Sequence, residues 1–132
     1  MTVYPSHTIS VSIDRNLADV YGFVSEPENF PRWAAGLGSN FQQAGEEWSA
    51  ADPDGHLIRI RFAPRNDFGV AGHTVSSNAG EILNAMRVIA NGTGAEVIFT
   101  LLRRPQMSDE IFAADAAAIE RDLKALKAML EN

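Results

Sequence analysis

Apolar and polar residues change their period along this chain, and each change marks a new kind of element. From His7 to Ile13 they alternate strictly. Ile9, Val11 and Ile13 share one face and Thr8, Ser10 and Ser12 the other, which is the pattern of a half-buried strand. The spacing then lengthens, with Leu17, Val20, Tyr21 and Val24 at helical intervals behind Asp14 or Asn16, either of which can cap a helix. Ser25 to Pro27 breaks that helix, and a second short one opens at Pro27 and carries Phe30 and Trp33. Gly36, Gly38 and Gly45 mark an irregular stretch.

Period two returns from Glu47 onward. The spacing predicts a short strand over Glu47 to Ala51. A second presents Ile58, Ile60 and Phe62 inward and Arg59 and Arg61 to water, and further strands run over Phe68 to Ser76, Glu81 to Ala90 and Ala95 to Leu102. Asp52-Pro53-Asp54-Gly55, Pro64 to Asp67, Ser77-Asn78-Ala79-Gly80 and Asn91-Gly92-Thr93-Gly94 are the turns between them. Turns this short leave no room for crossover helices, so the strands form an antiparallel meander.

The last period is helical again. Pro105 ends the final strand, Ser108 caps a helix, and Phe112, Ala116, Ile119, Leu123, Leu126 and Leu130 recur at alternating steps of four and three. Asp115, Glu120, Arg121, Asp122, Lys124 and Lys127 fall off that stripe. At 1.5 Å per residue the helix spans roughly 36 Å, enough to cross a sheet diagonally. The expected architecture is therefore one α+β domain over residues 1–132, with a curved antiparallel sheet of about six strands wrapped around the C-terminal helix. Its alanine-rich start, Ala113, Ala114, Ala116, Ala117 and Ala118, either lies close on the sheet or leaves volume beneath it near Phe112 and Ala116, within reach of Phe30 and Trp33.

Composition narrows the function classes. At 132 residues the chain can build one sizeable core, and 45% hydrophobic with 21% charged residues is ordinary for a globular protein. It has no cysteine, which removes disulfides, thiolate metal sites and a cysteine nucleophile. A net charge of −6 argues against nucleic acid and anionic lipid as partners. No apolar run approaches the ~20 residues of a membrane span, so no membrane insertion is expected. Met1 to Ser10 has neither the basic start nor the apolar core of a leader, and the chain reads as cytoplasmic, a monomer or homodimer.

The run TISVSIDRNLADVYGFVSEPENFPRW, followed by FAPRNDFGVAGHTV, MRVIANGTGAEVIFTLLRRP and MSDEIFAADAAAIERDLKALKAMLE, resembles the START-like superfamily, also called SRPBCC or polyketide cyclase/dehydrase-like, and within it a bacterial subgroup. Members begin with an alternating strand, then a helix rich in Val, Tyr and Phe, a proline-containing turn and a tryptophan, here Trp33. The resemblance covers nearly the whole chain and implies a helix-grip fold with a cavity between sheet and helix. The subgroup often carries Leu-Asp before the histidine and Pro before the Met-Arg pair, where this chain has Ala71-Gly72 and Ala85. His73 therefore lacks the adjacent carboxylate that an Asp-His pair would supply. Relatives range over lipid carriers, hormone receptors, aromatic cyclases and co-chaperone-like activators, so the fold does not select one activity.

His73 and Arg87 are the candidate catalytic residues. An inward His73 would act as acid/base or orient a ligand carbonyl; otherwise it is a hydrogen-bonded or solvent-facing strand histidine. A buried Arg87 would anchor a carboxylate or enolate, whereas an outward one would pair with Glu96 across the hairpin. Phe30, Trp33, Trp48, Phe62, Phe99, Phe112 and Ala116 are the candidate ligand-binding residues, with core packing as the alternative role for each. His7 and His56 are not spaced to form a metal site with His73, so no metal and no cofactor are expected. The glycine pairs around Leu37 and Thr93 lack the strand-to-helix setting of a phosphate loop, and no Gly-x-Ser-x-Gly elbow is present. Three functions fit. The first is a binding module for a small hydrophobic molecule such as a lipid, polyketide or aromatic metabolite. The second is a cyclase- or dehydratase-type enzyme on a polyketide-like substrate, and the third a protein-interaction or co-chaperone-like module.

Overall fold

Strict alternation at the N-terminus becomes β1 (Ser6–Ile13), and the helical spacing behind it becomes α1 (Leu17–Val24). In this computed structural model, which describes residues 1–78 and 80–132, Asn16 rather than Asp14 caps α1, its side chain accepting from the Asp19 N–H at 2.8 Å. A 3-10 turn over Pro27–Asn29 leads into α2 (Phe30–Trp33). The strands that follow are β2 (Ser39–Ala44), β3 (Glu47–Ala51), β4 (Leu57–Phe62), β5 (His73–Ser77), β6 (Gly80–Asn91) and β7 (Gly94–Leu102), and α3 (Asp109–Glu131) closes the chain. Ala79, placed in the turn before β6 by the sequence, lies outside the described residues.

All neighbours are antiparallel in one curved, seven-stranded sheet of order β1-β7-β6-β5-β4-β3-β2. Only the β1–β7 contact departs from a meander. It brings Ser6 opposite Leu102 and Ile13 opposite Ala95. The apolar stripe of α3 covers this part of the sheet, where Ile13, Val20, Val88, Val97, Leu123 and Leu126 are each 2% exposed or less. This is the sheet around a C-terminal helix that the periodicity implied, with one more strand than expected, and it matches the helix-grip arrangement that the resemblance implied. Among the described residues, no helix is long and apolar enough to cross a membrane.

Both ends of α3 are tied down by named contacts. Ser108 Oγ accepts from the Ile111 N–H at 3.1 Å and fills the cap that the sequence predicts. At the other end Arg15 Nη1 donates to Leu130 O at 2.8 Å, and the Asp14 N–H donates to Glu131 Oε2 at 2.8 Å. Lys127 Nζ donates to Ser12 O at 2.6 Å. The turn after β1 thus clasps the C-terminal end of the helix, where unpaired carbonyls attract a cation.

Two strand expectations change. The stretch around Gly36 to Ala44 is not wholly irregular, because its second half forms β2, with a register shift between Ser39 and Gln42. Conversely, Phe68 to Gly72 is not a strand, and only Val70 bridges to Arg87. Asn66 takes over that segment: its amide donates to Pro64 O and Val70 O, and its carbonyl accepts from the N–H groups of Phe68 and Val70. Gly69 sits at φ +72°, where an added Cβ would fall 2.1 Å from Val88 O. Gly72 packs as tightly, with Asn84 O 2.8 Å from where a Cβ would be.

Candidate functional site

A cavity of about 250 Å³ lies between the inner face of the sheet and α3. Its apolar wall comes from Phe30 and Trp33 of α2, Phe99 and Leu101 of β7, and Ile119 and Leu123 of α3. Each arrives there for a local reason. Phe99 alternates inward with Val97 and Leu101 along β7, and the short helix that begins after Pro27 turns Phe30 and Trp33 toward the same space. Their rings meet edge to face at 5.2 Å between centroids, the arrangement that aromatic quadrupoles favour.

His73 stands in the middle of the inner face, opposite Phe62 on β4 and Asn84 on β6. It is 8% exposed and lines the cavity. Its ring lies 4.7 Å from that of Phe30 and 5.7 Å from that of Phe62. Among the described residues, its nitrogens take part in no hydrogen bond. Burial without a charged partner holds its pKa down at about 4, so at neutral pH the imidazole is uncharged, with one donor and one acceptor nitrogen. The indole N–H of Trp33 is shut off from solvent altogether and has no partner, the only fully inaccessible side-chain atom without one among the described residues.

Polar side chains that the sequence reading missed complete the wall. Asp115 and Asp122 were assigned off the apolar stripe of α3, yet both border the cavity, together with Asn84 and Arg104. Asp122 Oδ1 accepts from the Ala35 N–H at 3.3 Å, and burial raises its pKa despite that bond. A signal for the pair was available: residues 115, 119 and 122 follow i, i+4, i+7 spacing beside the stripe, on one flank of the helix. Asn84 follows from strand parity, because it alternates with inward-facing Met86 and Val88.

The other candidates lie elsewhere. Trp48 stacks on Phe41 at 4.8 Å, away from the cavity wall, and Phe62 backs Phe30 and His73. Ala116 is buried in the core, and Phe112 packs half-buried against it, while the helix residues at the cavity are Asp115, Ile119, Asp122 and Leu123. Arg87 points outward. Its Nε donates to Phe68 O at 3.0 Å, while Glu96 accepts from Ser12 and Asn91 instead of pairing with it. The outward reading of Arg87 therefore describes its placement, but with a different partner, because the loop at Phe68 covers that face of β6.

A larger depression of about 860 Å³ spreads over outward side chains, including Arg61, Leu83, Ala85 and Arg87. It is wider, but much of its wall is solvent-exposed, and Arg61 there is already drawn to Glu47 and Glu81. The inner cavity, also open to solvent on one side, is the better candidate site because the buried His73 and Trp33 stand on its wall with nitrogens that lack partners among the described residues. Asp52, Asp54 and His56 bring ligand-type atoms within 4.8 Å of one another at an exposed turn. Asp52 Oδ1 already accepts from the N–H groups of Asp54 and His56, which makes the cluster turn chemistry.

No family model matches the chain. Its sequence is 33% identical over 86 residues to the sensor protein RstB of Escherichia coli strain K12, a match that covers 60% of this chain and 20% of that protein. The chain thus corresponds to about a fifth of the length of this curated relative. Several solved structures share the fold. An uncharacterised protein from Bacillus thuringiensis superposes with a TM-score of 0.74 at 18% identity, over 97% of this chain and all of that one (100%). The Aha1 dimer from Colwellia psychrerythraea gives 0.74 at 12% identity, covering 96% of both chains. DynU16, a protein of the dynemicin biosynthetic locus, gives 0.71 at 14% identity over 96% of this chain and 47% of its own. At these identities, what is shared is the fold.

Proposed function

We propose that this chain is a START-like protein that binds a small, largely apolar molecule in the cavity between the sheet and α3. The observation that carries this reading is the cavity itself: about 250 Å³ lined by Phe30, Trp33, Phe99 and the inner flank of α3. Close packing is the rule in protein interiors, and this fold departs from it where the aromatic side chains gather. The shared fold of DynU16 is in keeping with a ligand from secondary metabolism, such as a polyketide or aromatic metabolite. An enzyme of cyclase type has less support. His73 faces inward, but Arg87 does not, and no carboxylate among the described residues is within hydrogen-bond reach of the imidazole. The fold shared with the Aha1 dimer leaves homodimer formation compatible with this reading.

Native mass spectrometry of the protein purified from its own host tests the proposal by detecting a co-purifying small molecule. Trp33→Ala or Phe99→Ala should then weaken binding by about 1–3 kcal/mol, the worth of a lost aromatic contact. His73→Ala should leave no turnover to lose. A product that forms with the wild type and disappears in His73→Ala, with circular dichroism unchanged, would overturn binding as the sole role.

A further inference from the structure

We infer that the ligand of this cavity is an uncharged aromatic or polycyclic molecule bearing a hydroxyl or carbonyl oxygen, and that His73 holds that oxygen. The inference rests on the binding role proposed above and adds the chemistry of what is bound. His73 is more than nine-tenths buried, lines the cavity and makes no hydrogen bond among the described residues. Buried polar groups in folded proteins nearly always have a partner, so an imidazole left open on a cavity wall is suited to a group that arrives with the ligand.

The neighbours specify that group further. Asn84, directly across the strand pair from His73, also borders the cavity with an amide that makes no hydrogen bond among the described residues. Amide and neutral imidazole each offer a donor and an acceptor, which matches a hydroxyl or a carbonyl. The ring contacts of Phe30 with His73 and Trp33 place flat, apolar surfaces around them, suited to a planar ligand. Arg104, Asp115 and Asp122 also border the cavity, but all three are more exposed than His73. The imidazole is itself held uncharged by burial, so a carboxylate placed against it would gain no ion pair at neutral pH and would lose its hydration.

The test compares probes of one shape: naphthalene, 2-naphthol and 2-naphthoate, titrated at pH 7 into the whole chain by fluorescence or calorimetry. The expected result is that 2-naphthol binds roughly fivefold to tenfold tighter than naphthalene, the factor that one net hydrogen bond supplies, with 2-naphthoate weakest. His73→Phe should erase the advantage of 2-naphthol over naphthalene, and His73→Gln should restore part of it. In the wild type, the imidazole nitrogen resonances of His73 should move with 2-naphthol and stay put with naphthalene. This readout does not depend on any variant folding. Equal binding of naphthalene and 2-naphthol, tightest binding of 2-naphthoate, or a silent His73 would overturn the inference while leaving the cavity as a binding site. Failure of all the probes to bind would remove both readings.

Discussion

The two ends of the sheet solve the same burial problem with different side chains. Where α3 covers β1 and β7 and α1 covers the adjoining part of β6, the core is aliphatic and shut, built from Ile13, Val20, Val88, Val97, Leu123 and Leu126. Toward β4, β3 and β2 there is no such helix stripe. The inner face is covered instead by Phe30, Phe41, Trp48, Phe62 and His73, joined ring to ring. Phe41, Trp48 and Phe62 are only half-buried. The cavity opens where these regions meet. Branched aliphatic side chains fill space by interlocking, whereas flat rings meeting at steep angles leave gaps, so stability collects at one end and the site at the border with the other.

The largest test of that division is truncation in each half. Leu126→Ala, at a position with no exposure, should cost about 2–5 kcal/mol in chemical denaturation. Phe41→Ala, at a half-exposed ring, should cost only about 1–2 kcal/mol. Similar losses at the two positions would mean that the aromatic end carries as much of the fold as the gripped end.

Acid should act on the aromatic end. His73 takes its proton near pH 4 in the folded chain, against 6.5 for an ordinary imidazole. Between those values the unfolded chain binds the proton and the folded chain does not. Stability from this group is therefore complete above about pH 6.5 and declines as pH falls toward 4. At about 1.4 kcal/mol per pH unit, the interval amounts to roughly 3 kcal/mol. Asp122, whose pKa is raised by burial, works in the opposite sense, gaining a proton more readily when folded. Denaturation midpoints of the wild type and His73→Phe, followed from pH 7 to 4, isolate the histidine, and the variant should show a flatter profile.

Smaller effects belong to the ends and outer surface of the elements. Ser108→Ala removes the cap of α3 and should cost about 1 kcal/mol in thermal or chemical melts. Glu47→Gln breaks contacts to Arg59 at 3.6 Å and Arg61 at 3.7 Å on the outward face, and should cost no more than about 0.5 kcal/mol. A larger loss at Glu47 than at Ser108 would place unexpected weight on the outer face.

How much of this was legible depended on whether position along the chain or position in space decided the matter. The gripped half was readable because alternation in β1 and β7 and the four-three spacing of α3 are properties of single segments. β2 was missed because its sequence, Ser39 to Ala44, is polar and bulged, with Phe41 as its one large apolar residue. The loop over Phe68 to Gly72 was mistaken for strand because its pattern alternates, while Asn66 and two tightly packed glycines override it. At the site, the aromatic character of the wall could be anticipated, as Phe30, Trp33 and Phe99 illustrate. Asp115 and Asp122 are legible only in part: their spacing puts them on one flank of α3, but that this flank meets the cavity depends on how α3 is rotated about its own axis over a curved sheet. The same holds for Trp48, whose stacking on Phe41 depends on a strand that was not expected.

The clasp between β1 and β7 also sets an order of assembly. Each of the other strands pairs with a chain neighbour through a turn or short loop, the kind of contact that forms early and locally. β1 must wait for partners at Ala95 to Leu102, and for Lys127, Leu130 and Glu131 to reach the turn behind it. Within this sheet, β1 is therefore synthesised well before the strand it pairs with. The alternation of threonine and serine with isoleucine and valine along it keeps one face water-compatible through that delay.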